Sequence, residues 1–391
     1  MESAYYYLGG SALHTGIYVD LIRRLEDEGL VVGLVSRLRV SANPLATWRA
    51  WRGRGFLGPN PIETVRASVA GGVHQVPVWN LFPALSAGAL ARILGLPTPG
   101  DRRVVVHTRQ IVMARLALAL KRRWPELRVI VEMEGDDLAE VRYKRERVEC
   151  PTLAQRLRWG LEHRYYAREE RRILHESDAV ICVSRRLRDV MAHRYALTPQ
   201  CTQRMHVIPT LASRKQFFFD PERRKGTRQA LGLQDRYVVI YSGNLRGHWQ
   251  VPEKLVEAFL AIRQVRPAAS FLVLTQETDR RYIEPHLERA GVAADDVRLL
   301  SCPHTQVVDH LCAADVGLLL RERHPVNEVA APGKFAEYVL SGLPIIMTEG
   351  IGDFSEAMRA AELACVLPHL ADAGDWRERV QGFCARDFTP G

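Results

Sequence analysis

Apolar residues along this chain gather in short runs, separated by stretches whose apolar positions return every three or four residues. In the first half, the runs at 4–8, 31–35, 73–78, 104–106, 129–132, 179–183 and 205–208 have strand length. Helical spacing predicts helices over 15–28, 83–94, 110–124, 153–175 and 185–195. The alternation resumes in the second half, with strands expected at 237–241, 270–274, 297–300, 316–320 and 344–347. Apolar strands alternating with helices argue for parallel sheets covered on both faces. From Pro209 to Gly226 the chain carries Phe217-Phe218-Phe219-Asp220-Pro221 and a basic run without a clear period, so this stretch reads as a hinge. The expected fold is therefore α/β, with two Rossmann-like, doubly wound parallel-sheet domains, 1–208 and 209–391, facing across a cleft. Ligands of such sheets lie outside the carboxyl ends of the strands.

A length of 391 residues with 47% hydrophobic content accommodates two full cores. Charge adds more. The net +9 is unevenly placed: residues 1–208 hold 32 Lys and Arg against 21 Asp and Glu, whereas 209–391 hold 22 against 24. The first half therefore suits an acidic partner, such as a membrane surface, a lipid diphosphate or a nucleic acid. Its basic residues interleave with aromatics from Trp48 to Phe56 and at Lys121-Arg122-Arg123-Trp124, and a third basic cluster runs from Arg142 to Arg147. Arg with Trp suits the headgroup level of a bilayer, although each cluster by itself also fits a solvated helix face. No nucleic-acid-binding motif is visible, so that partner is not expected. Seven cysteines form no C-x-x-C pair, which indicates neither zinc nor a disulfide framework. The absence of a basic-then-apolar leader and of a membrane-length apolar run predicts a cytoplasmic protein.

The chemistry concentrates in Asn327-Glu328-Val329-Ala330-Ala331-Pro332-Gly333-Lys334-Phe335-Ala336-Glu337-Tyr338 and its continuation Ser341-Gly342-Leu343-Pro344. A loop ends at Pro332-Gly333, and a short helix then carries Lys334, Glu337, Tyr338 and Ser341 on one face before stopping at Gly342. A helix that opens at the carboxyl end of a strand offers free N–H groups and a positive dipole end to a diphosphate. The backbone amides of Ala331, Gly333 and Lys334 are the candidate cradle. Glu337 can accept hydrogen bonds from two neighbouring hydroxyls, as on a ribose, although a surface pair with Lys334 is the simpler alternative. Two further strand–loop segments approach the same ligand: Tyr241-Ser242-Gly243-Asn244-Leu245-Arg246-Gly247-His248, and Gly9-Gly10-Ser11-Ala12-Leu13-His14-Thr15-Gly16. In the latter, Gly10 and Gly16 permit close backbone approach.

In their order these segments, together with Ser177-Asp178-Ala179-Val180-Ile181-Cys182-Val183-Ser184, Val207-Ile208-Pro209 and Ala313-Ala314-Asp315-Val316-Gly317-Leu318-Leu319, resemble the GT-B glycosyltransferases. The resemblance is to the retaining group often called family 4, and it covers most of the chain. It implies transfer of a sugar, with retention, from a nucleotide sugar held by the second domain to a glycan or lipid-linked acceptor at the first. The implied setting is surface polysaccharide synthesis, such as lipopolysaccharide or exopolysaccharide, at the inner face of the cell membrane, with peripheral membrane contact through the basic half. No cofactor or metal is implied, and Asp136-Asp137 lacks the Asp-x-Asp spacing of manganese-dependent enzymes.

The resemblance assigns ribose binding to Glu337, the second glutamate of the family's pair. Val329 stands where the first glutamate belongs, and Glu328, one residue away, is the candidate for the sugar hydroxyls. The family's arginine after the strand glycine is here Asn244, so Arg246, two residues on, is the candidate cation for the leaving diphosphate. Lys254, Arg321 and Arg323 are further options. Glu134 stands near the family's sugar-contacting histidine and is the third candidate for the chemistry, while Asp136 either binds sugar hydroxyls or caps the next helix. Two alternatives compete with transfer: a GT-B nucleotide-sugar 2-epimerase, and a non-catalytic subunit that binds a nucleotide sugar or a partner.

Overall fold

The computed structural model describes residues 3–9, 24–39, 73–78, 86–93, 103–109, 111–247, 249–368 and 375–388. Gly10, Gly16, His14, His248 and the Trp48–Phe56 cluster lie outside the described residues. Contacts divide the chain into two units, Met1–Val183 with Arg188–Ile208, and Ser184–Leu187 with Pro209–Gly391.

The first unit is built on seven strands: β1 (Ser3–Gly9), β2 (Val31–Arg39), β3 (Val73–Val78), β4 (Arg103–Arg109), β5 (Arg128–Met133), β6 (Ala179–Cys182) and β7 (Met205–Val207). Their order is β3-β2-β1-β4-β5-β6-β7, and every neighbouring pair is parallel. The described helices here include α1 (Ala87–Ile93), α2 (Ile111–Arg123), α3 (Asp137–Glu146), α4 (Leu153–Glu176) and α5 (Arg185–Arg194). Helix α2 is apolar along most of its length and buries Ile111, Met113, Leu116 and Leu120. Helix α3 starts at Asp136, whose carboxylate accepts from the Ala139 N–H and pairs with Arg194. Of the two roles open to Asp136, the structure gives it the cap.

The second unit repeats the plan with β8 (Tyr237–Ser242), β9 (Ala269–Leu274), β10 (Val297–Leu300), β11 (Val316–Leu319), β12 (Ile345–Thr348) and β13 (Ala364–Leu367). The order β10-β9-β8-β11-β12-β13 is again parallel throughout. Side chains alternate across this sheet into two cores. Val239, Tyr241, Phe271, Val273 and Leu318 meet Phe259 and Trp376 on one face, and Val238, Ile240, Leu272, Ile345 and Met347 meet Leu311 and Tyr338 on the other. The covering helices include α6 (Pro221–Leu231), α7 (Pro252–Val265), α8 (Val307–Ala313), α9 (Pro325–Glu328), α10 (Gly333–Leu340) and α11 (Trp376–Cys384).

Among the differences from the sequence reading, two concern the second unit's frame. Strand β13 was not anticipated, because Ala364–Leu367 is a four-residue run at the sheet edge and only Leu367 is fully buried. The stretch read as hinge ends earlier, because α6 occupies Pro221–Leu231. That helix has no buried residue and therefore no apolar stripe to read. It is tied down by arginines: Arg224 donates to the carbonyls of Cys312 and Ala314, Arg228 to that of Ala313, and both pair with Asp315.

Candidate functional site

In each sheet the strand order reverses beside the first strand, which in the second unit is the point between β8 and β11. The loops leaving those strands are therefore where a ligand is expected. At the end of β8, Gly243 turns with φ +138°, and a Cβ there would stand 2.8 Å from Lys334 Nζ. Both the left-handed backbone and the space require glycine. On its other side, the Lys334 ammonium lies 4.0 Å from the centroid of the Tyr241 ring. Tyr241 is itself fixed, its hydroxyl donating to the Asn244 carbonyl at 2.8 Å. Asn244 thus contributes backbone to the ring's support.

Lys334 Nζ is buried and has no hydrogen-bond partner among the described residues. Burial first, and the charge of Arg321 second, pull its pKa down to about 7, against a smaller opposing pull from Glu337. Arg321 follows β11, is 8% exposed, and donates from Nη1 to Asn327 Oδ1 at 3.1 Å, while its Nε has no partner among the described residues. Its backbone is clamped to Thr348 by two 3.0 Å bonds. Burial lowers its pKa to about 10. Two buried cations without a paired carboxylate are costly to fold around unless an anion arrives to share the site.

Helix α10 opens beside them. Its N-cap is Pro332 without a side-chain cap, and among the described residues the amides of Ala331, Gly333 and Lys334 donate to nothing. The helix is held in place by Tyr338, whose hydroxyl accepts from the Ser242 N–H at 2.9 Å, so the last turn of β8 and the first turns of α10 form one piece. Gly317 on β11 makes room for that ring, since a Cβ there would come within 2.7 Å of it. Gly342 closes the helix in the left-handed conformation, with Leu343 N–H donating to the Tyr338 carbonyl.

One turn into α10, Glu337 Oε1 lies 2.9 Å from His304 Nε2. This hydrogen bond raises the His304 pKa. The same imidazole is edge-on to Phe217 and within reach of the Gln216 amide. Glu328, at the end of α9, makes no side-chain bond among the described residues, whereas Val329 is buried. The loop between α9 and α10 is pressed against Gly352, where a Cβ would meet the Ala330 carbonyl oxygen.

Of the residues singled out in the sequence, Gly243, Asn244, Ala331, Gly333, Lys334 and Glu337 share this end of the second sheet. Arg246 is nearby but engaged. Its Nε donates to Asp279 at 2.8 Å and its Nη2 to Gln276 and Thr278, which ties the loop to the 3-10 turn Glu277–Tyr282. Lys254 pairs with Glu257. Glu134 belongs to the first unit, where it pairs with Arg109. Sequence reasoning included Tyr241 in the strand–loop segment but not its contact with Lys334, and it missed His304, which lies 33 residues from its partner.

No protein-family model matches the chain, and no curated protein matches it in sequence. Solved structures do. HepE from Anabaena, in complex with UDP and glucose, superposes with TM-score 0.64 at 12% identity, over 98% of this chain and 89% of that one. WaaG, a glycosyltransferase involved in lipopolysaccharide biosynthesis, gives 0.62 at 16% identity over 98% and 90%. The Escherichia coli trehalose-6-phosphate protein bound with UDP-2-fluoro glucose gives 0.60 at 12% over 97% and 90%. These are GT-B structures, and the chain has the GT-B fold.

Proposed function

We propose that the protein is a glycosyltransferase that takes its sugar from a nucleotide sugar bound by the second unit. The observation that carries this reading is the pair of buried cations, Lys334 and Arg321, beside the free amides of Ala331, Gly333 and Lys334. A diphosphate supplies the negative charge and acceptors that this arrangement lacks. One turn away, Glu337 with its partner His304 is the candidate to hold the ribose, and Glu328, with no side-chain bond among the described residues, is the candidate carboxylate for the sugar. Similar structures solved with UDP or UDP sugars make a uridine diphosphate sugar the first donor to test.

In the reaction, the bond from the anomeric carbon to the diphosphate breaks and the acceptor oxygen attacks that carbon from the same face. The acceptor's proton passes to the departing diphosphate, so configuration is retained. Lys334 and Arg321 meet the charge that builds on the diphosphate, and no metal is needed for that task. Arg246 acts one step back, by bracing the loop through Asp279. The acceptor is a glycan or a lipid-linked glycan of surface polysaccharide synthesis, met by the basic first unit, with Glu134 and Arg109 as its candidate contacts. One observation favours the alternative of a binding subunit: the buried Val329 occupies the place of the family's first glutamate.

The test is release of nucleoside diphosphate from a panel of nucleotide sugars, with membrane glycolipid extract as acceptor and the product anomer read by NMR. Turnover that needs the extract, survives EDTA and keeps the anomeric configuration supports the proposal. Binding without turnover points to the subunit, and turnover without acceptor to the epimerase. Glu337→Ala is expected to weaken donor binding by about 10- to 100-fold, the worth of charge-assisted hydrogen bonds to a ribose.

A further inference from the structure

The first unit carries an open apolar ridge. Helix α4 buries only Glu169, Glu170, Ile173 and Leu174, all in its second half. Its first turns stand clear, and there Leu153, Leu157 and Leu161 are 74%, 63% and 67% exposed. A spacing of four puts the three on a single stripe. This projecting segment is specified as helix without any help from burial. Thr152 and Gln155 form a reciprocal capping box, and Arg158 pairs with Glu162 one turn on at 2.8 Å. A preformed helix that aims consecutive leucines outward differs from the scattered apolar residues of an ordinary surface.

Charge identifies what covers it. At helical spacing Arg164 falls on the leucine face and Arg156 flanks it. Both are exposed, and among the described residues neither guanidinium has a hydrogen bond or ion pair. Residues 142–168, which include the exposed end of α3, hold eight Lys and Arg against three Glu. We propose that this ridge docks on an anionic lipid bilayer, with the leucines at the boundary of headgroups and acyl chains and Arg156 and Arg164 on lipid phosphates. A second copy of the chain fits less well, because a two-fold contact through the ridge brings the same unpaired arginines together. The inference rests on the proposed function, whose lipid-linked acceptor gives the enzyme a reason to sit at the bilayer.

The test is co-sedimentation of the full chain with vesicles of phosphatidylglycerol and phosphatidylcholine, or of phosphatidylcholine alone, at low and high salt. The wild type is expected to bind the anionic vesicles and to be released by salt. The triple variant L153S/L157S/L161S and the double variant R156E/R164E are each expected to lose at least about tenfold in binding. The residues changed are exposed, so the melting temperature should hold, and a nucleotide-sugar thermal shift reports the donor site independently. Equal binding to neutral vesicles, equal binding by either variant, or a dimer in light scattering that the leucine variant dissociates would overturn the proposal. Vesicle binding that behaves as expected in a protein with no nucleotide-sugar shift would leave the docking surface standing and remove the glycosyltransferase reading.

Discussion

Lys334 is the residue on which the proposed donor site turns. Its ammonium is enclosed between the Tyr241 ring and the Gly243 backbone, with Arg321 adding repulsion, and its pKa falls to about 7. Burial acts against the charged form, so the unfolded chain holds this proton from about pH 7 up to the ordinary lysine value of 10.5, where the folded chain does not. The destabilisation is therefore full below pH 7 and fades as pH rises through that window. A diphosphate restores the charge, so binding above pH 7 takes up a proton. Affinity for a nucleotide sugar, whose own phosphates do not titrate near neutrality, is expected to fall as pH climbs above about 7. Lys334→Gln should bind more weakly and flatten that slope, which calorimetric titration at several pH values will read. A slope that survives the substitution would assign the proton elsewhere.

At the scale of elements, the site depends on α10 being fastened to the ends of β8 and β11. Tyr338→Phe removes the acceptor for the Ser242 N–H and is expected to cost about 1–3 kcal/mol in urea unfolding, with a matching loss of donor affinity. An unchanged midpoint would mean that the amide finds another partner. The strands and most long helices were legible because their apolar periods are strong, as in α2, which buries eight residues in one run of 13. Helix α6 was not, because arginine contacts to the carbonyls of Cys312, Ala313 and Ala314 replace an apolar face. Only its Asp220-Pro221 start and Gly232 stop are written locally. The site divides in the same way. The free amides at the start of α10 could be read from Pro332-Gly333-Lys334, because helix-start chemistry is local. The setting of Lys334 against Tyr241 and Gly243, and of Glu337 against His304, could not, because each pair joins segments from separate strand ends. Arg246, the candidate cation for the leaving diphosphate, pairs with the buried Asp279, a partner 33 residues away that no local pattern announces.

At the scale of the molecule, one plan is used twice with different surfaces. Both sheets are parallel and reverse order beside their first strand, but the excess positive charge lies in residues 1–208. Residues 209–391 are close to neutral overall, and there two cations, Lys334 and Arg321, are buried at the strand ends beside the switch point. That contrast is what the proposed function needs, with donor recognition by 209–391 and acidic acceptor or lipid recognition by 1–208. Among the described residues no helix is long and apolar enough to cross a membrane. The most direct test of this division is amide hydrogen exchange by mass spectrometry, with UDP sugars and EDTA, on the wild type and Lys334→Met. The account predicts slowed exchange in the wild type across 243–247 and 331–337, little change elsewhere, and loss of that protection in the variant. Protection confined to the first unit, protection that survives in Lys334→Met, or none with any nucleotide sugar would contradict it.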